Sequence, residues 1–275
     1  YFTDPNHPLR PNGPAGIPCG PPAKHTPILD RQQGFLAIPH HTNAQSKAIR
    51  DDGTHYWRPY PWGEPRFSYR RVVEIFQTRG NQERETYPDE KAWHAVYTEN
   101  GGSVQTALDA GHRLGFVGGT DNHQSWPTYL GHEFRGSQCY AWTWAPARKR
   151  RAVYKALDAR RCWATWGCRS LVWFSIAGAP MGGDLAVEKG YPLTATIRLS
   201  LESPLETLEI VSPGDDPLPC PEAVGKLDIE IAVDLGPAVP GIFYYVRARQ
   251  TDGGLLYASP IFLVNSDGTY PRENH

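Results

Sequence analysis

Short apolar runs alternate with stretches of helical period over the first half of the chain, and beyond Cys168 the period falls to two. Phe35 to Ile38, Val72 to Phe76 and Leu114 to Val117 are apolar runs of four or five residues, the length of buried strands. Val104 to His112 and Arg148 to Arg160 carry apolar residues at helical spacing. Ser103 supplies an N-cap for the first of these helices and Gly111 a C-terminal stop. This alternation predicts an α/β architecture of βα units around a parallel sheet. After Cys168, strands are predicted at Leu171 to Ile176, Leu193 to Leu199, Leu227 to Ile231, Phe243 to Ala248 and Leu255 to Val264. The second and third alternate apolar with polar residues, and Thr251 to Gly254 supplies turn chemistry, so an antiparallel β-sandwich is expected there. Residues 1–34 are rich in Pro and Gly and read as an arm or surface segment. The expected organisation is therefore 1–34, an α/β unit over 35–168 and a β-sandwich over 169–275.

Two of the apolar runs end in residues suited to chemistry. Phe35 to Ile38 runs into Pro39-His40-His41-Thr42, and Leu114 to Val117 runs into Gly118-Gly119-Thr120-Asp121-Asn122-His123. Asp121 and His123 lie two apart on an extended chain and so project to one side, where both can reach one metal ion. Strand ends that carry ligand-type residues on two separate runs point to a shared site at the carboxyl edge of the sheet. For any one of these residues, capping or an ordinary hydrogen bond is the alternative. The aromatic stretch His55 to Trp62 either walls a substrate pocket or packs on its own domain. Walker, GxGxxG and GxSxG motifs are missing, which argues against nucleotide-fold and serine-hydrolase readings.

Composition narrows the picture further. The chain has 275 residues, enough for one large domain or two ordinary ones, and two are expected. Lys plus Arg number 28 against 29 Asp plus Glu, so no overall field gathers nucleic acid or an acidic membrane. Arg148 to Arg151 is a local basic patch that reads as a solvated helix face. Five cysteines without a CxxC pair indicate buried, reduced thiols. No apolar stretch reaches the length of a membrane span, and a soluble, cytoplasmic protein is expected.

The order of these segments carries a family resemblance. Ala37 to Thr42, Val73 to Phe76 with Gly80 to Glu83, and Ala110 to Phe116 leading into Gly119 to His123 together resemble the polymerase-and-histidinol-phosphatase (PHP) superfamily of metallohydrolases. Within it, the chain looks most like the large bacterial branch related to carbaryl hydrolase. Downstream, Ala156 to Thr165, Ile176 to Gly182, Tyr244 to Arg247 and Ser259 to Ile261 are similar to that branch as well. The resemblance implies a partial or distorted (β/α) barrel of PHP type followed by the C-terminal antiparallel β-sandwich. It also implies divalent Zn, Mn or Fe, held by His, Asp and Glu, and water activated against a small ester, phosphate or amide substrate. His40 or His41 matches the family's histidine ligand, and Asp121 and His123 match its terminal ligand pair, which the reaction would also use. Glu74, Glu83 and Asn122 fall beside the expected site, either touching it or serving as structural partners. Arg79, Arg161 and Arg169 are candidates to neutralise an anionic substrate, with surface ion pairs as the alternative.

One departure weighs against a complete site. The family opens with an HxH motif and a TDH-type segment; neither occurs here, and His7 and His25 sit in proline-rich surroundings. Tyr1-Phe2 resembles the strand just after a family ligand, so the chain is expected to begin within the barrel. The rival reading is an inactive binding or scaffold module, or half an enzyme completed by a partner chain or an N-terminal segment. A carbohydrate-binding role resting on Trp173, Tyr244 and Tyr245 is a third, with core packing as the better account of those rings.

Overall fold

The computed structural model describes residues 35–40, 42–43, 60, 62–63, 70–77, 80–85, 101–121, 139–214 and 216–274, and from Val72 onward most of the described elements are strands. The first sheet joins β1 (Val72–Gln77), β2 (Gly80–Asn81) and, beyond α1 (Val104–Asp109), β3 (Gly115–Gly118). Its order is β2-β1-β3, with β3 parallel and β2 antiparallel to β1. Ser103 caps α1 by accepting the Thr106 N–H, and Gly111, at φ +86°, takes the left-handed turn that stops it.

The chain then leaves this sheet. Next come β4 (Cys139–Thr143), α2 (Arg150–Asp158), β5 (Cys162–Trp166), β6 (Leu171–Ile176), β7 (Ala179–Pro180), β8 (Asp184–Ala186) and β9 (Pro192–Ser200). They are followed by β10 (Leu205–Val211), β11 (Leu218–Pro219), β12 (Asp228–Pro237), β13 (Phe243–Gln250), β14 (Leu255–Ala258) and β15 (Ile261–Val264). The largest sheet has the order β11-β10-β13-β14-β5-β4, with β15 against β13 and β8, and a four-stranded sheet has the order β12-β9-β6-β7.

The largest sheet serves two cores at once. Successive side chains on a strand face opposite ways. In β14, Leu256 and Ala258 join the core shared with Val172, Phe174, Leu193 and Ile197 of the four-stranded sheet. Leu255 and Tyr257 join the core shared with Val73, Ile75, Phe116 and the α1 residues Val104, Ala107 and Leu108. β15 divides in the same way, Ile261 and Leu263 to the first core and Phe262 and Val264 to the second. Burial on both faces is why these segments read as unbroken apolar runs.

The expected partial or distorted (β/α) barrel is not what forms. Among the described residues strand makes up 43% and helix 11%, the strands are divided among several sheets, and no closed barrel exists. Among the described residues the βα pattern holds only for β1-α1-β3, because β4 and β5 pair antiparallel with each other and β5 with β14, not with β3. The sheet therefore runs straight through the 168/169 boundary drawn from sequence. Phe35 to Ile38 is not a strand, and the predicted strand Leu255 to Val264 is two, parted at Ser259-Pro260. No helix among the described residues is long and apolar enough to cross a membrane.

Candidate functional site

β1 and the end of β3 supply the carboxylates of the cluster, and a loop segment supplies its imidazole. Glu74 sits on β1 opposite Val117 of β3, and its N–H donates to the Pro39 carbonyl at 3.1 Å. That backbone bond sets Pro39 beside β1 and brings His40 over the Glu74 side chain. His40 Nδ1 lies 3.0 Å and 3.1 Å from the two Glu74 carboxylate oxygens. Its Nε2 faces Asp121 Oδ1 at 3.9 Å. Asp121, three residues beyond the end of β3, has φ +46°, a left-handed conformation that Asp tolerates better than most residues.

Amides fix both carboxylates. Gln82 Nε2 donates to Glu74 Oε1 at 3.3 Å, and the Gln82 side-chain oxygen accepts the Asn43 N–H at 3.1 Å and the Thr42 hydroxyl at 3.4 Å. Gln77, fully buried, donates to Asp121 Oδ2 at 3.1 Å, and Oδ1 is the oxygen that faces His40. Gly119 completes the cradle, since a Cβ there would meet Glu74 Oε2 at 2.9 Å. The Glu74 and Asp121 side chains are only 11% and 12% exposed, whereas His40 is 46% exposed, so the imidazole is the face presented to solvent. Below the cluster, burial and then the Glu74 charge push the Cys139 thiol up, which keeps it neutral and a poor metal ligand.

Held against a carboxylate, Nδ1 donates its N–H, and Nε2 is on the side of the ring toward Asp121. Two donors on one tetrahedral ion at about 2.0–2.1 Å stand roughly 3.3–3.4 Å apart. The 3.9 Å between His40 Nε2 and Asp121 Oδ1 is wider than that separation. No group of three or more His, Cys, Asp or Glu placed to hold a metal occurs among the described residues.

His40, Asp121 and Glu74 are thus brought together, while His41, His123, Asn122 and Arg79 lie outside the described residues. Glu83 belongs elsewhere. It is wholly buried and accepts from Arg247 Nη1 at 3.0 Å and 2.8 Å, from the Tyr257 hydroxyl at 2.9 Å and from the Tyr245 hydroxyl. Arg169 is an exposed residue of the β5–β6 turn whose N–H donates to Glu202 at 2.8 Å. Of the aromatic stretch, Trp62 is buried and donates to the Gly102 carbonyl at 2.9 Å, a packing role. Trp173 is exposed and stacks on Trp144, and Tyr245 is a core residue. Gln77 and Gln82 do not stand out in the sequence; the only signal is their position one strand-end and one turn away from Glu74.

No family model matches the chain. It is 29% identical over 220 residues to a protein of Chlamydia muridarum and 26% identical over 275 residues to one of Chlamydia pneumoniae, both described as uncharacterized proteins. These matches cover 71% and 87% of this chain but 34% and 41% of the chlamydial proteins. The chain thus spans well under half the length of the curated bacterial relatives it matches. Among solved structures, a Niemann-Pick type C2 protein from the Japanese carpenter ant aligns over 34% of this chain and 96% of its own, with 13% identity and a TM-score of 0.21.

Proposed function

We propose that His40 and Asp121 are two ligands of a divalent metal centre at which water is activated to hydrolyse a small ester, phosphate ester or amide. The observation that carries this reading is the imidazole set between two carboxylates, Glu74 on Nδ1 and Asp121 on Nε2. A carboxylate behind the ring of a ligating histidine fixes its tautomer and raises its basicity. Glu74 does this for His40, and Gln82 holds Glu74 in place. Gln77 pins one oxygen of Asp121, so the other keeps a fixed direction. Zn, Mn or Fe would suit this mixed nitrogen and oxygen set, and such an ion would lower the pKa of bound water from about 15.7 to about 7. In this reading, His41 and His123 are the further ligands, as in the PHP-type motif order that the sequence resembles. Half-exposed His40 marks the side from which substrate enters.

The second reading is a binding or scaffold module, or part of an enzyme completed by another segment or chain. Two converging donors among the described residues favour it. Elemental analysis after dialysis, with hydrolysis of p-nitrophenyl acetate and p-nitrophenyl phosphate, separates the two. The hydrolase reading expects metal bound near one ion per chain and turnover, both lost in Asp121→Ala and His40→Ala. Equal metal content and equal turnover in wild type and Asp121→Ala would overturn it; metal that stays bound without turnover supports the second reading.

A further inference from the structure

A cavity of about 180 Å³ opens between α1 and the segment that follows β10, on residues the candidate metal site does not use. Arg84, Gln105, Asp109, Ser212, Asp216 and Phe243 line it. Phe243, buried, forms an apolar wall, and Gln105 is fixed by donating to the Tyr245 hydroxyl at 3.0 Å, which leaves its carbonyl oxygen to accept. The charges are the informative part. Arg84, half-buried, and Asp216, at the exposed rim, line the same cavity without forming an ion pair with each other or with another of the described residues. Asp109 is already engaged, 3.5 Å from Arg272.

Two such charges of opposite sign across one small cavity match a ligand that carries both signs. A dianion meets the carboxylates Asp109 and Asp216, and a simple cation meets Arg84. Drug-sized ligands fill roughly 300–1,000 Å³, so this volume limits the guest to a handful of heavy atoms. We infer that the cavity binds a small zwitterion of the α-amino-acid type, its carboxylate on Arg84 and its ammonium group toward Asp216. Ser212 and the Gln105 carbonyl complete the polar lining. The inference is independent of the metal centre.

Isothermal titration calorimetry on the full chain tests it, with glycine, serine and glutamine set against acetate, phosphate, ethylamine and glycerol. Zwitterions are expected to bind about 10- to 100-fold more tightly than any single-charge or neutral probe, the worth of one further charge-assisted hydrogen bond. Arg84→Gln and Asp216→Asn should each lose about tenfold or more, with circular dichroism and metal content unchanged. Acetate, phosphate, ethylamine or glycerol binding as tightly as the zwitterions would overturn the inference, and so would no zwitterion binding at millimolar concentration. Zwitterion binding undiminished in both variants would overturn it as well.

Discussion

At the scale of single residues, Gly119 tests the site most cleanly, because what a side chain there would strike is the moving end of Glu74 and not backbone. In Gly119→Ala the new Cβ would lie 2.9 Å from Glu74 Oε2, so the carboxylate must swing off the His40 imidazole. Loss of a partner behind a ligating histidine costs about 10- to 100-fold in metal affinity or activity. On the proposed metal centre, Gly119→Ala should therefore lose metal on dialysis to about that extent while its urea midpoint stays close to wild type. A variant that retained metal and activity in full would show that Glu74 does not orient His40. His40 and Asp121 were legible in the sequence, since each follows an apolar run at its end. Gln77 and Gln82 were not, because a side-chain amide belongs to no ligand pattern. Placing Glu83 beside the site fails by one residue: neighbours on an extended segment project to opposite sides. Gln82 turns to Glu74, and Glu83 turns to β13 and β14.

Between elements, Glu83 and Arg247 fasten the segment after β2 to the largest sheet. Arg247 Nε also donates to Glu209 at 2.6 Å, so the guanidinium joins the first sheet to both β13 and β10. Burial opposes the Arg247 charge, but Glu83 and the groups around it outweigh that, and its pKa lies above the ordinary value. Burial, then the Glu83 charge, hold the phenols of Tyr245 and Tyr257 well above their usual range, so both remain donors. Removing one partner of a buried pair strands the other, at about 3–5 kcal/mol. Arg247→Met and Glu83→Gln should each destabilise by that order in urea unfolding, and the double variant by clearly less than their sum. Additive losses would show that the two side chains act separately. Strands that are buried on both faces left a clear apolar trace; their ends did not. Pro260 lacks an N–H and breaks the run between β14 and β15. Ser259 then bridges the sheets, its hydroxyl accepting the Phe116 N–H at 2.9 Å and donating to the Cys162 carbonyl at 2.6 Å.

Taken whole, the molecule turns on where β4 and β5 pair, and a local βα pattern says nothing about that. Trp163 of β5 is opposite Ala258 of β14, a partner nearly a hundred residues away, so the choice between a barrel and stacked sheets is made by distant sequence. Because one sheet lines both main cores, loss of either exposes its strands, and the described fold should unfold as one unit. The buried thiols report this. Burial pushes Cys162 up to about 12 and Cys168 up to about 11, from an ordinary value of 9.0. The unfolded chain therefore releases these protons first as pH rises. Their contribution is complete below pH 9.0 and is lost progressively between pH 9.0 and about 11 to 12. The urea midpoint should fall steadily from pH 9.0 upward, and the fall should be shallower in Cys162→Ala and Cys168→Ala. In the native state at neutral pH, Cys139, Cys162, Cys168 and Cys220, all buried, should resist a thiol-reactive disulfide reagent until unfolding releases them together. Staggered release, with one of these four thiols labelled well before the other three, would show that the two cores open independently and that the shared sheet does not bind them into a single cooperative unit.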